Sequence, residues 1–486
     1  MFLRYSIVFL FRRRIEGVNN IMHYISTRGK APELNFEGVL LGGLASDGGL
    51  YVPKKYPHID KAEIRDMREM SYREVAFEVT RPYIDNDFLS DNALRTILKQ
   101  SYKTFSHEKV VPLKKLEKNL YVLELYHGQT LAFKDVALQP VARLFEHSLK
   151  KSGSFMIIVL ATSGDTGAAA IDAFKGLDRI LVIVLYPDGR ISEVQRPFMT
   201  TVQDKNTYAV GVLGSTFDDN QSMVKAMLND PEFKKTYHLG AVNSINFARI
   251  VFQIPYYFYA ALQADALDGK IDFSVPTGNF GDIFAGYCAK QMGLPIHKLI
   301  IATNSNNILH RFMQNGEMAT KGVVQTYSPS MDIEISSNFE RLLFELLDRD
   351  AEALTRCMES LKQNKAFSVA PYVMERMRKD FYSGDADDNL TKEVIRKTYE
   401  KYAYQIDPHT AVGMAAAQKS EKAVVLSTAS PAKFPIVVEE CTGKYPALEP
   451  EVDARLKMPE RLFKKPNDYN VIKNFVAACA HEHALA

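Results

Sequence analysis

The chain has 486 residues, enough for two or three domains at roughly 150 residues each and for a sizeable core. Its 60 Lys and Arg against 58 Asp and Glu leave a formal charge of +2, so bulk electrostatics points to neither nucleic acid nor an acidic membrane surface as partner. With 46% hydrophobic and 24% charged residues, it is an ordinary folded chain and not a disordered or fibrous one.

The opening MFLRYSIVFLFRRR puts its apolar run before its arginines, the reverse of a secretory signal. Residues 1 to 21 are therefore expected to be extra sequence upstream of a second start at Met22, outside the fold. From Met22 to about Val110, a polar opening and a turn region with Gly42, Gly43, Gly48, Gly49 and Pro53 lead into helical periodicity, which predicts an accessory domain over residues 22–110. From Leu120 the texture changes to short apolar runs between helical stretches: Leu120 to Leu125, Phe155 to Ala161, Ile180 to Tyr186, Ile271 to Pro276, Leu299 to Thr303 and Ala423 to Ser427. Buried strands separated by helices predict an α/β fold with largely parallel sheets. The charged stretch from about Phe339 to Gln405 reads as a helical insertion with its charges in solvent, and the terminal His481-Glu482-His483 as a mobile polar tail. Cys288, Cys357, Cys441 and Cys479 lie far apart with no CxxC pair, which suits a reducing compartment, and no metal site is expected. No apolar run approaches the roughly 18 residues that a bilayer span requires.

The sequence lacks GxxxxGK followed by Ser or Thr, GxGxxG, GxSxG and HExxH, so it carries none of the usual signs of a nucleotide phosphate loop, a dinucleotide site, a hydrolase elbow or a zinc protease. What it does carry is two turns suited to anions, each at the end of a predicted strand. One is Thr162-Ser163-Gly164-Asp165-Thr166-Gly167, the other Thr277-Gly278-Asn279-Phe280-Gly281-Asp282, and each precedes a small-residue helix. Glycine permits close backbone approach, and the free N–H groups and helix dipole attract negative charge. Either turn alone could be simple helix capping; two of them at the strand ends where open α/β sheets bind ligands favour a binding site. Lys134, between Phe133 and an apolar helical stretch, is a candidate desolvated nucleophile. A nucleophilic lysine with two anion cradles is what a phosphorylated aldehyde cofactor requires, one cradle for its phosphate and one for a substrate carboxylate. Pyridoxal 5'-phosphate is that cofactor.

From about Ser26 to about Tyr445 a series of motifs appears in order: STRG at 26–29, GLASDGGLYVP at 43–53, HGQTLAFKD at 127–135, ATSGDTG at 161–167, NSINFARI at 243–250, PTGNFGD at 276–282, DPHTAVG at 407–413 and STASPAKFP at 427–435. With these the chain resembles the threonine synthases, fold-type-II pyridoxal-phosphate enzymes, in their longer group with an N-terminal domain. The resemblance implies a catalytic core over 111–486, with a nested small domain at about 135–255 that closes over the substrate. It implies that Lys134 forms the Schiff base with the cofactor and then moves protons. It places Gly278, Asn279, Phe280 and Gly281 on the cofactor phosphate, Thr428 by the pyridine nitrogen and Asp165 by the ring hydroxyl. Thr162, Ser163 and Thr166 would meet the substrate carboxylate, and Asn246 and Arg249 its phosphate. Gln129 stands where the family often has Pro, Phe247 where it often has Trp, and Ser430 where His often precedes PAKF.

The implied reaction turns O-phospho-L-homoserine and water into L-threonine and phosphate, in a cytoplasmic monomer or homodimer. Three rivals remain at this stage. They are a related phospho-lyase giving a 2-oxo acid, a non-catalytic paralogue sensing a phosphorylated metabolite, and a nucleotide-dependent transferase already weakened by the missing phosphate loop.

Overall fold

The computed structural model describes residues 21–484, so all but the last residue of the expected 1–21 extension lies outside the described residues. The first unit is a two-stranded antiparallel ribbon, β1 (Tyr24–Ser26) and β2 (Tyr51–Pro53), with helices over Phe36–Gly42, Tyr72–Thr80 and Asp91–Ser101. These helices start where the sequence supplies caps. Asn35 accepts the Gly38 N–H, Ser71 and Glu74 form a reciprocal capping box, and Ser90 accepts the Ala93 N–H.

Two sheets follow. The larger has the strand order β13-β10-β9-β14-β4-β3. Its strands are β3 (Leu113–Glu117), β4 (Leu120–Glu124), β9 (Ile271–Pro276), β10 (Ile296–Thr303), β13 (Phe381–Asp385) and β14 (Ala423–Ser427). All neighbours are parallel except the β3–β4 pair. The smaller sheet, wholly parallel, has the order β15-β7-β6-β5-β8. It consists of β5 (Met156–Ala161), β6 (Ile180–Pro187), β7 (Thr207–Leu213), β8 (Leu239–Gly240) and β15 (Phe463–Pro466). A short antiparallel ribbon joins β11 (Glu317–Ala319) to β12 (Ala366–Ser368).

Strand β6 shows why the apolar runs are unbroken. Ile180, Val182, Val184 and Tyr186 face the main core, while Leu181, Ile183 and Leu185 face a second one. A parallel strand covered on both faces cannot alternate with polar residues. The second core is closed by the C-terminal helix Tyr469–Ala484, whose Ile472, Val476, Cys479 and Ala480 are buried against that face. The terminal histidines are thus helical and not a mobile tail.

The charged stretch 339–405 departs from expectation in two ways. It is helical over Phe339–Leu346, Ala351–Asn364, Pro371–Asp380 and Asp388–Tyr402, yet it also supplies β13, which adds to the open edge of the larger sheet beside β10. Arg341 is fully buried, although the charge pattern suggested solvent. The smaller sheet likewise draws on two parts of the chain, since β15 comes from beyond residue 460. Among the described residues no helix is long and apolar enough to cross a membrane.

Candidate active site

Lys134 is the first residue of a 19-residue helix, α1 (Lys134–Ser152), and the loop before it is locked by short-range chemistry. The Asp135 carboxylate accepts the Thr130 N–H at 2.7 Å and the Thr130 hydroxyl at 2.6 Å, and a side chain at Gly128 would collide with that carboxylate. Asp135 therefore shapes the loop and is not the ion partner of Lys134. The loop is then clamped to the chain leaving β14. Phe133 N–H donates to the Thr428 carbonyl at 2.8 Å and Ser430 N–H to the Leu131 carbonyl at 3.0 Å. These bonds bring Lys134 beside Thr428, whose hydroxyl has no protein partner among the described residues.

The partner of Lys134 is Asp165, the first residue of helix α2 (Asp165–Phe174) after β5, with Nζ 3.4 Å from Oδ2. Oδ2 also accepts the Ser330 hydroxyl at 2.9 Å, while Oδ1 faces Lys433 Nζ and, at 3.4 Å, Gln195 Nε2. Burial alone would raise the Asp165 pKa; the ammonium groups of Lys433 and Lys134 outweigh it and hold the carboxyl well below the usual carboxylate range. For Lys134 burial dominates and lowers the pKa; Asp165 opposes that shift, and the positive charges of Lys433 and Arg249 reinforce it. The amine is thereby brought toward the unprotonated, nucleophilic form.

The loop after β9 runs into helix α3 (Gly281–Gln291). Phe280 takes the left-handed conformation at φ 64°, and no protein acceptor takes the N–H groups of Gly278, Asn279, Phe280 or Gly281 among the described residues. A Cβ on Gly278 would lie 2.5 Å from the Ser330 carbonyl, so glycine is required by the strap that crosses there. Ser330 links this loop to Asp165, and the strap is itself held. The Ser330 N–H donates to His409 Nε2 at 3.2 Å, and His409 Nδ1 donates to Asp407 at 2.7 Å.

The other expected residues divide. Ser163 is exposed and Thr166 half-buried at the mouth of the α2 turn, both open to a ligand. Thr162 is buried, its hydroxyl accepting the N–H groups of Gly164 and Gly167, so it shapes the turn. Asn246 is fully buried with its amide donating to the Leu40 carbonyl and its oxygen accepting the Ala248 N–H; it builds the short helix Phe247–Val251 and offers the cleft no unpaired atom. Arg249, on that helix, is buried with Nη1 on the Val242 carbonyl and Nε without a partner, and burial pushes its guanidinium down to about 10. A buried cation without a carboxylate beside Lys134 suits an incoming anion. Lys433, Ser330 and His409 carry no role in the sequence reading. Lys433 and His409 do fall inside recognisable motifs, whereas Ser330 lies in none.

These residues fit a phosphorylated aldehyde: a buried amine with a carboxylate at it, a glycine cradle of unpaired N–H groups at a helix N-terminus, and the Thr428 hydroxyl on the segment clamped to the Lys134 loop. Comparison with known proteins agrees with that chemistry. Residues 23–102 match the family model for the threonine synthase N terminus, 105–430 that for pyridoxal-phosphate dependent enzymes, and 410–476 that for the threonine synthase C-terminal region. Threonine synthase of Pseudomonas aeruginosa is 46% identical over 94% of this chain and 98% of that protein. The structure of pyridoxal-phosphate-bound threonine synthase from Brucella melitensis superposes with a TM-score of 0.92 at 45% identity, covering 94% of this chain and 99% of the other. The yeast threonine synthase structure gives 0.90 at 40% identity, covering 95% and 99%.

Proposed function

Because the chain belongs to the threonine synthase family of pyridoxal-phosphate-dependent enzymes, we infer that it converts O-phospho-L-homoserine and water into L-threonine and phosphate. The observation that carries this reading is the buried Lys134–Asp165–Lys433 cluster beside an unpaired glycine-loop cradle. Pyridoxal phosphate, when bound, supplies the electron sink that makes an amino-acid Cα acidic.

The residues of this chain do the rest. The N–H groups of Gly278, Asn279, Phe280 and Gly281 would hold the cofactor phosphate, with the dipole of α3 behind them. Lys134 Nζ would carry the cofactor, be displaced by the substrate amine, and then move the protons: one is taken from Cα and later returned there, and one is taken from Cβ, where water adds, while Cγ gains one after phosphate leaves it. Asp165, kept ionised, would accept a hydrogen bond at the ring hydroxyl, and the Thr428 hydroxyl would meet the ring nitrogen. Ser163 and Thr166 would bind the substrate carboxylate, and Arg249 would take the substrate phosphate in the buried pocket where its charge lacks a partner. Asn246 and Thr162 would act one step back, by holding Arg249 and the α2 turn in place.

The test is turnover of O-phospho-L-homoserine with phosphate and amino acid measured together. Equal amounts of threonine and phosphate are expected from the wild type and neither from Lys134→Ala. Phosphate accompanied by a 2-oxo acid would instead make the protein a phospho-lyase.

A further inference from the structure

Lys433 is essentially buried in the turn Pro431–Lys433 that follows β14. Its ammonium group donates to the Thr130 carbonyl at 2.9 Å and to Asp165 Oδ1. The same carboxylate presents Oδ2 to Lys134 Nζ at 3.4 Å, so a single negative charge stands between two ammonium groups and makes its tighter contact with Lys433. In a desolvated site a carboxylate with only Lys134 for company would hold the proton on that amine. A second, fixed cation on the carboxylate removes this hold. The remaining charged and titratable groups around the cluster come from five elements. Arg249 adds positive charge from the short helix Phe247–Val251. His409, at the start of helix Pro408–Ala416, is bonded to Asp407 and to the Ser330 N–H. Asp332 lies on the strap carrying Ser330. Asp135, with Asp172 behind it, has its carboxylate taken up by the two Thr130 donors.

We propose that Lys433 is a positioning residue that takes up the charge of Asp165, so that Lys134 stands as a free amine able to capture an aldehyde. Capture needs that form because the nitrogen lone pair adds to the aldehyde carbon, the amine protons are lost, and the carbonyl oxygen leaves as water. The inference rests on the reading of Lys134 as the cofactor lysine.

The test strips the full-length protein of its cofactor and follows the rate of pyridoxal 5'-phosphate capture by absorbance across pH, with no substrate present. In Lys433→Met the midpoint of the capture profile is expected to move up by roughly one pH unit or more, since Asp165 is left to Lys134 alone. Lys433→Arg keeps the charge and the wild-type midpoint. The double variant Lys433→Met with Asp165→Asn removes both charges, and its midpoint returns toward that of the wild type. Should Lys433→Met fail to fold, Lys433→Gln, which keeps a donor for the Thr130 carbonyl, takes its place. A folded single variant with the wild-type midpoint, a double variant displaced as far as the single one, or an arginine variant displaced as far as methionine would each overturn the proposal. A wild-type protein that captures no cofactor at any pH would sink the reading of Lys134 itself, and this inference with it.

Discussion

At the scale of single residues, the site depends on charges whose burial sets their behaviour. Asp282, in the first turn of α3, is buried, with Oδ1 accepting both Tyr256 and Tyr257 hydroxyls and Oδ2 without a partner. Burial raises its pKa to about 7, against the lowering effect of the two tyrosines. A carboxyl raised above its unfolded value stabilises the fold least where both states are ionised. Stability should therefore fall as pH rises from about 4 to 7, by up to roughly 4 kcal/mol. Asp282→Asn mimics the neutral acid, and its thermal midpoint should lose most of that slope while matching the wild type near pH 4. A slope unchanged in the variant would place the titrating group elsewhere. The neutral form also spares the adjoining unpaired N–H groups of the glycine loop a negative neighbour. A second residue-scale prediction concerns Gly278. The Cβ of Gly278→Ala would press on the Ser330 carbonyl, a rigid backbone atom, and overpacking of this kind costs about 1–3 kcal/mol. Cofactor affinity should drop at least about fivefold by that measure, with a small change in the far-ultraviolet spectrum.

Among the secondary-structure elements, the helix Phe339–Leu346 joins the accessory unit to the site. Arg341 donates through Nε to the Tyr51 carbonyl at 2.9 Å, through Nη1 to Asn338 Oδ1 and through Nη2 to the Ile245 carbonyl. Asn338 in turn donates twice to the Asn279 carbonyl, at 3.0 Å from its backbone and 2.9 Å from its side chain. One guanidinium thus ties the β2 strand, the segment leading to Arg249, and the back of the glycine loop after β9. Thr27 and Arg28 add bonds from the accessory unit to Glu340. Arg341→Met takes the donor from two buried acceptors, the Tyr51 carbonyl and Asn338 Oδ1, at about 1–3 kcal/mol each before relaxation, and from the part-buried Ile245 carbonyl. The expected outcome is a clear fall in thermal midpoint together with weaker cofactor retention, read by dialysis and absorbance. A stable variant that loses cofactor alone would mean the helix serves the loop but not the interface.

Over the whole molecule, the two sheets are assembled from distant parts of the chain. The C-terminal strand β15 pairs with β7, and the terminal helix covers Ile157, Val159, Leu181, Ile183 and Leu185. A chain ending at Met458 exposes that apolar face and should appear in the insoluble fraction or as aggregate on gel filtration, even though Lys134 and both anion turns are intact. A soluble, cofactor-binding truncation would show the small sheet to be self-sufficient.

The strands, the two glycine turns and the helix start at Lys134 were legible in the sequence because each rests on a local pattern: an unbroken apolar run, a glycine turn before a small-residue helix, a lysine ahead of an apolar helical stretch. Even the exceptions follow from what local pattern can carry. Asn246 and Thr162 have the residue types of ligands, yet their polar atoms are taken by the Leu40 carbonyl, Ala248, Gly164 and Gly167. The sequence alone determined the α/β class, the cofactor chemistry and the family resemblance. Only the tertiary structure decided that Lys433 meets Asp165 across 268 positions, that Ser330 bridges the two anion turns, that Arg341 is buried, and that the terminal histidines lie on a packed helix. These are contacts between segments remote in the chain, where burial changes what a charge does, and neither hydrophobic period nor turn composition encodes which remote groups will share a desolvated site.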